Sequence, residues 1–208
     1  MEDVLSVYER PYDPTRPIVC LDEPSRQLLA DTLPPRPPVP GRVARHDPEY
    51  VRGGVANGFL ATEPLRGWRE VAVSDRRART DFALFVEHLV EARYPKAETI
   101  VLVLDQLNTR SPPSLYAAFP AAKAKRLADK LEIHHTPKHG SWLNIAEIDL
   151  AVLQRQCLDR RLPDGDGMRR EVAAWTARRN TAVSSICWQF TTADARTKLL
   201  RLSPTFDA

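Results

Sequence analysis

The strongest strand of the sequence is Thr99-Ile100-Val101-Leu102-Val103-Leu104-Asp105. Its core is five consecutive apolar residues without polar alternation. This pattern is typical of a central strand that is covered on both faces of a sheet. The strand ends in an aspartate, and a second apolar strand, Ile18–Glu23, ends in the acids Asp22 and Glu23. Two apolar strands that both finish in carboxylates are the starting point for the fold and for the function.

The segments around these two strands predict an alternation of strands and helices. Ten prolines lie between Pro11 and Pro48 and predict an extended surface connection, interrupted by the strand Ile18–Glu23. We expect a hairpin of strands 55–63 and 68–74, helices over 80–93, 114–119, 121–130, 141–157, 164–179 and 191–202, and a strand over 131–136. The fold class is therefore α/β, a mixed sheet with helices packed on its faces.

Composition excludes several classes of protein. The 208 residues carry a formal net charge of +3, and no apolar run is long enough to span a membrane. The N-terminus is acidic and has no apolar signal region, and three scattered cysteines predict neither a disulfide framework nor a zinc ribbon. The first half of the chain is net negative and the second half net positive. A basic half is compatible with a phosphate-bearing partner, although many basic domains bind none.

Three acids are candidates for chemistry because of their surroundings. Asp22 and Asp105 stand where strands pass into loops, which is where open α/β sheets bind ligands. On a helical wheel, Glu147 borders the apolar stripe of the helix over 141–157, whereas Asp149 is turned away from it. Oxygen donors of this kind suit Mg²⁺ or Mn²⁺. Each acid also has an ordinary explanation, since aspartate often ends a strand and a helical glutamate is usually solvated.

Two segments resemble the later acidic motifs of a known family. Residues 103–110 (VLDQLNTR) and 134–147 (HHTPKHGSWLNIAE) are similar to the second and third acidic motifs of DDE transposases. The branch is that of the bacterial insertion-sequence relatives of mariner elements, the insertion-sequence six-thirty family. Residues 18–23 resemble the first motif, and 155–161 the segment after the third. The likeness runs nearly end to end but covers only the catalytic half of such proteins.

This resemblance implies an RNase H-like fold with a mixed five-stranded sheet, helices on both faces and additional C-terminal helices. It divides the chain into an N-terminal extension (1–17), a DDE catalytic domain (18–160) and a helical extension packed on it (161–208). Asp22, Asp105 and Glu147 become the catalytic triad that holds two Mg²⁺ or Mn²⁺ ions for DNA cleavage and strand transfer. The expected place of action is the bacterial cytoplasm, at the nucleoid.

The resemblance also implies partners. DNA, as transposon ends and as target, is the expected substrate, with contacts from five residues: Arg110, Lys138, His139, Trp142 and Asn144. Trp142 either stacks on a base or anchors its helix. We expect a homodimer, or a partner chain that carries the helix-turn-helix module for which this chain leaves no room. No membrane partner is expected.

Departures from the family pattern keep other functions open. Gln106 and Arg110 stand where the family usually has Asn and His, and Arg cannot accept a proton. The rivals are a remnant that binds DNA or a partner transposase without cutting, and a nuclease that cuts without joining strands. The histidines 134, 135 and 139 match no complete zinc motif. By default, the arginines of the second half form a solvated helix surface, and the alternative is that they contact the DNA backbone. These arginines are Arg155, Arg160, Arg161, Arg169, Arg170, Arg178 and Arg179.

Overall fold

The computed structural model describes residues 1–45, 47–76, 78–105, 112–138 and 140–198. Its strands are β1 (Ile18–Asp22), β2 (Ser25–Asp31), β3 (Tyr50–Glu63), β4 (Trp68–Ser74), β5 (Ile100–Leu104) and β6 (Leu131–His135). Its helices are α1 (Glu2–Tyr8), α2 (Arg79–His88), α3 (Pro113–Ala118), α4 (Ala121–Ala128), α5 (Ala146–Leu153), α6 (Gly165–Thr181) and α7 (Thr192–Lys198). Two π-helical turns, Leu89–Arg93 and Gln154–Leu158, continue α2 and α5. The 3₁₀ turn Ser141–Leu143 precedes α5.

The strands form one mixed sheet. Parallel pairing joins β1 to β5 and β5 to β6, whereas β3 runs antiparallel to β1, β2 and β4. The described residues give six strands, one more than the five expected. The additional strand is β2, which continues the register of β1 along the same edge of β3. It lies within the proline-rich region but in its proline-free interval between Pro24 and Pro34, where backbone N–H groups are available for pairing.

The alternating side chains of the central strands enter two separate apolar cores. Cys20 and Val103 belong to the core on one face, together with residues of α1, α5, α6 and α7. Leu21 and Leu102 belong to the core on the other face, together with residues of α2, α3 and α4. All five residues of β5 are buried. The prediction of a central strand covered on both faces is therefore confirmed, because helices pack on both sides of it.

The long helix expected over 141–157 is interrupted. Asn144 adopts φ −80° and ψ 112°, which is extended backbone, and separates the 3₁₀ turn from α5. The interruption brings the Asn144 side chain into the interior, as described below. In the expected final helix, α7 covers Thr192–Lys198, and residues 199–202 lie outside the described part of the chain. No helix among the described residues is long and apolar enough to cross a membrane.

Charged contacts attach the N-terminal segment to strand β6. Glu132 on β6 accepts hydrogen bonds from Arg10 (2.8 Å) and Arg16, and from the ring of His134 (2.9 Å). The His134 ring also contacts the Asp3 carboxylate of α1 at 2.8 Å. The hydrogen bond from His134, followed by that from Arg10, lowers the pKa of Glu132 from 4.5 to about 2. The carboxylate therefore stabilises the folded chain only while it is ionised.

Glu132→Gln is expected to make the free energy of unfolding fall less steeply as the pH is lowered from 5 to 2. Because the folded-state pKa is lowered, the contribution of Glu132 is present above pH 4.5 and is lost as the pH falls toward 2. Glu132 is partly exposed, so solvent screening limits this contribution to about 1 kcal/mol. Thermal unfolding between pH 2 and 5 measures the difference. Asp129→Asn, which removes the exposed pair with Lys125, is the control and should follow wild type. Equal acid slopes for wild type and Glu132→Gln would contradict the assignment.

Candidate active site at the carboxyl ends of β1 and β5

Asp22 and Asp105 lie side by side in the register of the sheet. Strands β1 and β5 are parallel neighbours, and Cys20 is paired with Val103. The same register, carried two residues further, aligns Asp22 with Asp105 at the carboxyl ends of the two strands. Neighbouring strands in a sheet are about 4.8 Å apart. The sequence prediction that both acids come from adjacent strand ends therefore agrees with the topology.

Both acids belong to the face of the sheet that α5 covers. Side chains two residues apart in a strand share a face, so Asp22 follows Cys20, and Asp105 follows Val103. Cys20 and Val103 share their core with Ala146 and Leu153 of α5. Asp22 is 8% exposed, and its Oδ1 accepts a hydrogen bond of 2.7 Å from the backbone N–H of Glu23. Asp105 and Glu147 are partly exposed.

Asn144 connects the helix that carries Glu147 to the strand that carries Asp22. Its side-chain Nδ2 donates to the carbonyl of Leu21 at 3.0 Å, and its Oδ1 accepts from the N–H of Ala146 at 3.2 Å. Its backbone carbonyl accepts from the N–H of Glu147 at 3.0 Å. The side chain is 1% exposed, so these bonds are made away from water. One residue thus fixes the first turn of α5 against the end of β1.

Tyr8 holds the same turn from the other side. Its hydroxyl donates to the carbonyl of Leu143 at 2.8 Å and accepts from the N–H of Ile145 at 3.4 Å. Burial raises the pKa of Tyr8 above its usual range, so the hydroxyl stays protonated and keeps its donor. The backbone on both sides of Asn144 is therefore bonded to α1. The start of the Glu147 helix is held by β1 and by the N-terminal helix together.

Asn144→Ala is expected to lower the free energy of unfolding by about 1–3 kcal/mol, because the substitution leaves the Leu21 carbonyl without its buried donor. Urea denaturation at neutral pH measures the difference. Gln189→Ala, at an exposed amide, is the matched control and should unfold as wild type does. Equal unfolding midpoints for Asn144→Ala and Gln189→Ala would contradict the role of Asn144 in holding α5 against β1.

The orientation expected for Asp149 was wrong. Asp149 is fully buried, and its carboxylate accepts hydrogen bonds from Thr62 Oγ1 at 2.7 Å and Arg69 Nε at 3.1 Å. Arg179 of α6 approaches the other oxygen at 3.5 Å. The helical wheel takes account only of apolar neighbours within the same helix. The two arginines and the threonine hydroxyl come from other elements, and they allow the Asp149 carboxylate to face the sheet. Asp149 thus joins α5 to β3, β4 and α6.

The five predicted DNA contacts occupy different environments. Lys138 is exposed, and Trp142 is 48% exposed with its ring edge-on to Phe190 at 5.8 Å between centroids. Asn144 is buried and bonded within the chain, so its placement contradicts a direct DNA contact. Arg110 and His139 lie outside the described residues, as does Gln106.

Two of the three clustered histidines have partners that sequence reasoning missed. His134 contacts Asp3 and Glu132 through its two ring nitrogens. His135 of β6 lies beside the site, with its Nδ1 3.3 Å from the backbone carbonyl of Asp105. The signal for His135 was its position at the carboxyl end of a strand parallel to β5.

The acids at this edge fit a divalent metal by their donor chemistry. Asp22, Asp105 and Glu147 offer carboxylate oxygens, the donors that Mg²⁺ and Mn²⁺ prefer. Over the described residues, no three His, Cys, Asp or Glu side chains are grouped closely enough to hold a metal ion. Carboxylates repel one another unless a cation lies between them. The topology therefore brings the carboxylate donors to one edge of the sheet without grouping three of them into a closed metal site.

Comparison with known families gives the chain its class. A family model described as DDE superfamily endonuclease matches residues 17–169, which include Asp22, Asp105 and Glu147. The chain belongs to the DDE superfamily endonucleases. A comparison with curated proteins gave no match.

The fold of this DDE endonuclease is that of solved transposase structures. The Mos1 mariner paired end complex with Mn superposes with a TM-score of 0.57 at 13% identity, over 87% of this chain and 54% of that one. A pre-cleavage Mos1 transpososome gives 0.56 at 13% identity, over 98% and 60%. The Mos1 Strand Transfer Complex gives 0.53 at 14% identity, over 87% and 55%. The RNase H-like fold is thus confirmed, and the chain spans just over half the length of these proteins.

Proposed function

We propose that this DDE endonuclease is the catalytic part of a DNA transposase of the bacterial insertion-sequence kind. The observation that carries the proposal is the register of Asp22 and Asp105 at adjacent strand ends, beside a helix start held by Asn144. On this proposal residues 18–160 form the catalytic unit, and 161–208 are a helical extension packed on it. Its place of action is the bacterial cytoplasm, at the nucleoid.

In the proposed mechanism Asp22, Asp105 and Glu147 would hold two Mg²⁺ or Mn²⁺ ions. Such ions would supply activation of the attacking oxygen and stabilisation of the charge on the leaving oxygen. In cleavage a water oxygen bonds to phosphorus, the P–O bond to the 3′ oxygen breaks, and a 3′-hydroxyl is released. In strand transfer that hydroxyl attacks a phosphodiester of the target and displaces the target's own 3′ oxygen.

The chain's own residues have the task of placing the carboxylates. The sheet register fixes Asp22 beside Asp105, and the bonds of Asn144 and Tyr8 fix the first turn of the Glu147 helix. The positive second half of the chain, with exposed Lys138, supplies contacts to DNA phosphates.

We also propose that the active assembly is larger than this chain. The similar Mos1 structures are a paired end complex and a pre-cleavage transpososome. By analogy, this chain acts as a homodimer or with a partner that carries a helix-turn-helix module for end recognition. Crosslinking in the presence of DNA tests this assembly.

The principal rival is a remnant that binds DNA without cutting it. Gln106 and Arg110, which stand where the family usually has Asn and His, favour this rival. A nicking assay on a supercoiled plasmid with Mg²⁺ or Mn²⁺ separates the two: metal-dependent nicks support the enzyme. Strand-transfer products from pre-cut ends then distinguish a transposase from a nuclease that only cuts.

A further inference from the structure

A polar cleft separates the C-terminal end of the Glu147 helix from α6. It has a volume of about 330 Å³ and lies between the π-helical turn Gln154–Leu158 and the middle of α6. This volume is at the lower end of the range for ligand sites, about 300–1,000 Å³. The side chains that line the cleft include Arg155, Arg160, Arg178, Asp159, Glu171 and Trp175.

The floor of the cleft is buried. Trp175 is 2% exposed, and its Nε1 donates to Gln156 Oε1 at 3.0 Å. The neighbouring Cys157 is buried, and burial raises the pKa of its thiol, so it stays a neutral wall. The floor is therefore uncharged, and the charged side chains line the rest of the cleft.

Within the described part of the chain, two arginines of the rim, Arg155 and Arg178, form no ion pair. Arg160 is paired with Glu171, and its Nε donates to the carbonyl of Cys157 at 3.2 Å. The Nε of Arg155 donates to the carbonyl of Ala151 at 3.3 Å.

The charges around the cleft favour an anion with a single negative charge. With Arg160 neutralised by Glu171, the positive Arg155 and Arg178 face the single negative Asp159. The rim therefore has an excess of one positive charge. A DNA phosphodiester carries one negative charge and accepts bidentate hydrogen bonds from arginine, whereas a nucleoside triphosphate would bring several charges that the rim cannot balance.

We infer that this cleft binds a backbone phosphate of the DNA strand that is being cut. The inference rests on the proposed function, because it makes DNA the ligand. Arg155 follows Glu147 by eight residues, about 12 Å along a helix axis. B-DNA rises about 3.4 Å per nucleotide. A strand that follows this helix therefore places its third or fourth nucleotide from the scissile phosphate at the cleft.

The test measures binding without cleavage. The full chain is titrated against a defined DNA duplex in EDTA at several salt concentrations. Arg155→Ala and Arg178→Ala should each weaken binding by about tenfold and make the slope of log K against log salt shallower by about 0.9. Arg178→Lys should keep the slope, since it keeps the charge. Arg169→Ala is the matched control on the same helix, because Asp75 and Asp166 already hold its guanidinium.

Each outcome decides the inference. Slopes of Arg155→Ala and Arg178→Ala equal to wild type and to Arg169→Ala would overturn it. Unchanged salt slopes, together with binding of a poly-glutamate peptide that Arg155→Ala and Arg178→Ala weaken, would also overturn it and would favour an acidic protein partner. Shallower slopes in a protein that never cleaves DNA would support the cleft while the proposed cleavage fails, so the two proposals are separable. Circular dichroism confirms that each variant is folded.

Discussion

Asp105→Asn is expected to reduce metal-dependent DNA nicking by about a thousandfold or more. The substitution keeps the shape of the side chain but removes one of the negative charges that would hold the metals at the ends of β1 and β5. Metal ions contribute several kcal/mol to the transition state of phosphoryl transfer, and about 4 kcal/mol corresponds to a thousandfold in rate. The assay is plasmid nicking over a range of Mg²⁺ and Mn²⁺ concentrations.

The controls for Asp105→Asn separate chemistry from binding. DNA affinity in EDTA should be unchanged or slightly higher, because one negative charge is removed near the phosphates. Asp129→Asn, an exposed carboxylate on the surface after α4, should nick at the wild-type rate. If Asp105→Asn nicks as fast as wild type, the observed activity does not come from this site. Loss of nicking in Asp22→Asn and Glu147→Gln as well would tie all three acids to one reaction.

Asp149→Ala is expected to lower the free energy of unfolding by about 3–5 kcal/mol. Asp149 and Arg69 are both fully buried, and removing the carboxylate leaves the Arg69 guanidinium uncompensated in the interior. Arg179 loses its partner as well. The change should be measured by urea denaturation at neutral pH. A loss below about 1 kcal/mol would contradict a structural role for the pair.

Two further variants keep the stability prediction testable even if Asp149→Ala fails to fold. Asp149→Asn retains an oxygen that accepts from Thr62 but removes the charge, so its loss should be smaller than that of the alanine variant. Arg196→Ala breaks the exposed pair with Glu2 and should leave stability nearly unchanged. Equal losses for the Asp149 and Arg196 variants would mean that burial does not govern the strength of these ion pairs.

The sheet edge that carries Asp22 and Asp105 could be predicted from the sequence because its signals are local. An uninterrupted apolar run makes β5 a central strand wherever it is placed, and an acid at its end must emerge at the sheet edge. The same reasoning applies to Asp22. The family model over 17–169 confirmed the DDE superfamily that the motifs around Asp105 and Glu147 had indicated.

Other features could not be predicted, because their causes lie far apart in the chain. Asn144 was predicted to contact DNA, and only the fold shows that it bonds to Leu21, which precedes it by more than a hundred residues. The strand β2 has weak strand character and pairs because β3 extends beyond β1 and offers it an edge.

The central strands and the carboxylates at their ends were determined by the sequence alone, since hydrophobic periodicity acts over a few residues. Tertiary structure decided which polar groups turn inward. Asp149 faces the interior because Arg69 and Arg179, separated from it by 80 and 30 residues, meet it there. A buried charge depends on its partners, and helical periodicity carries no information about partners that distant.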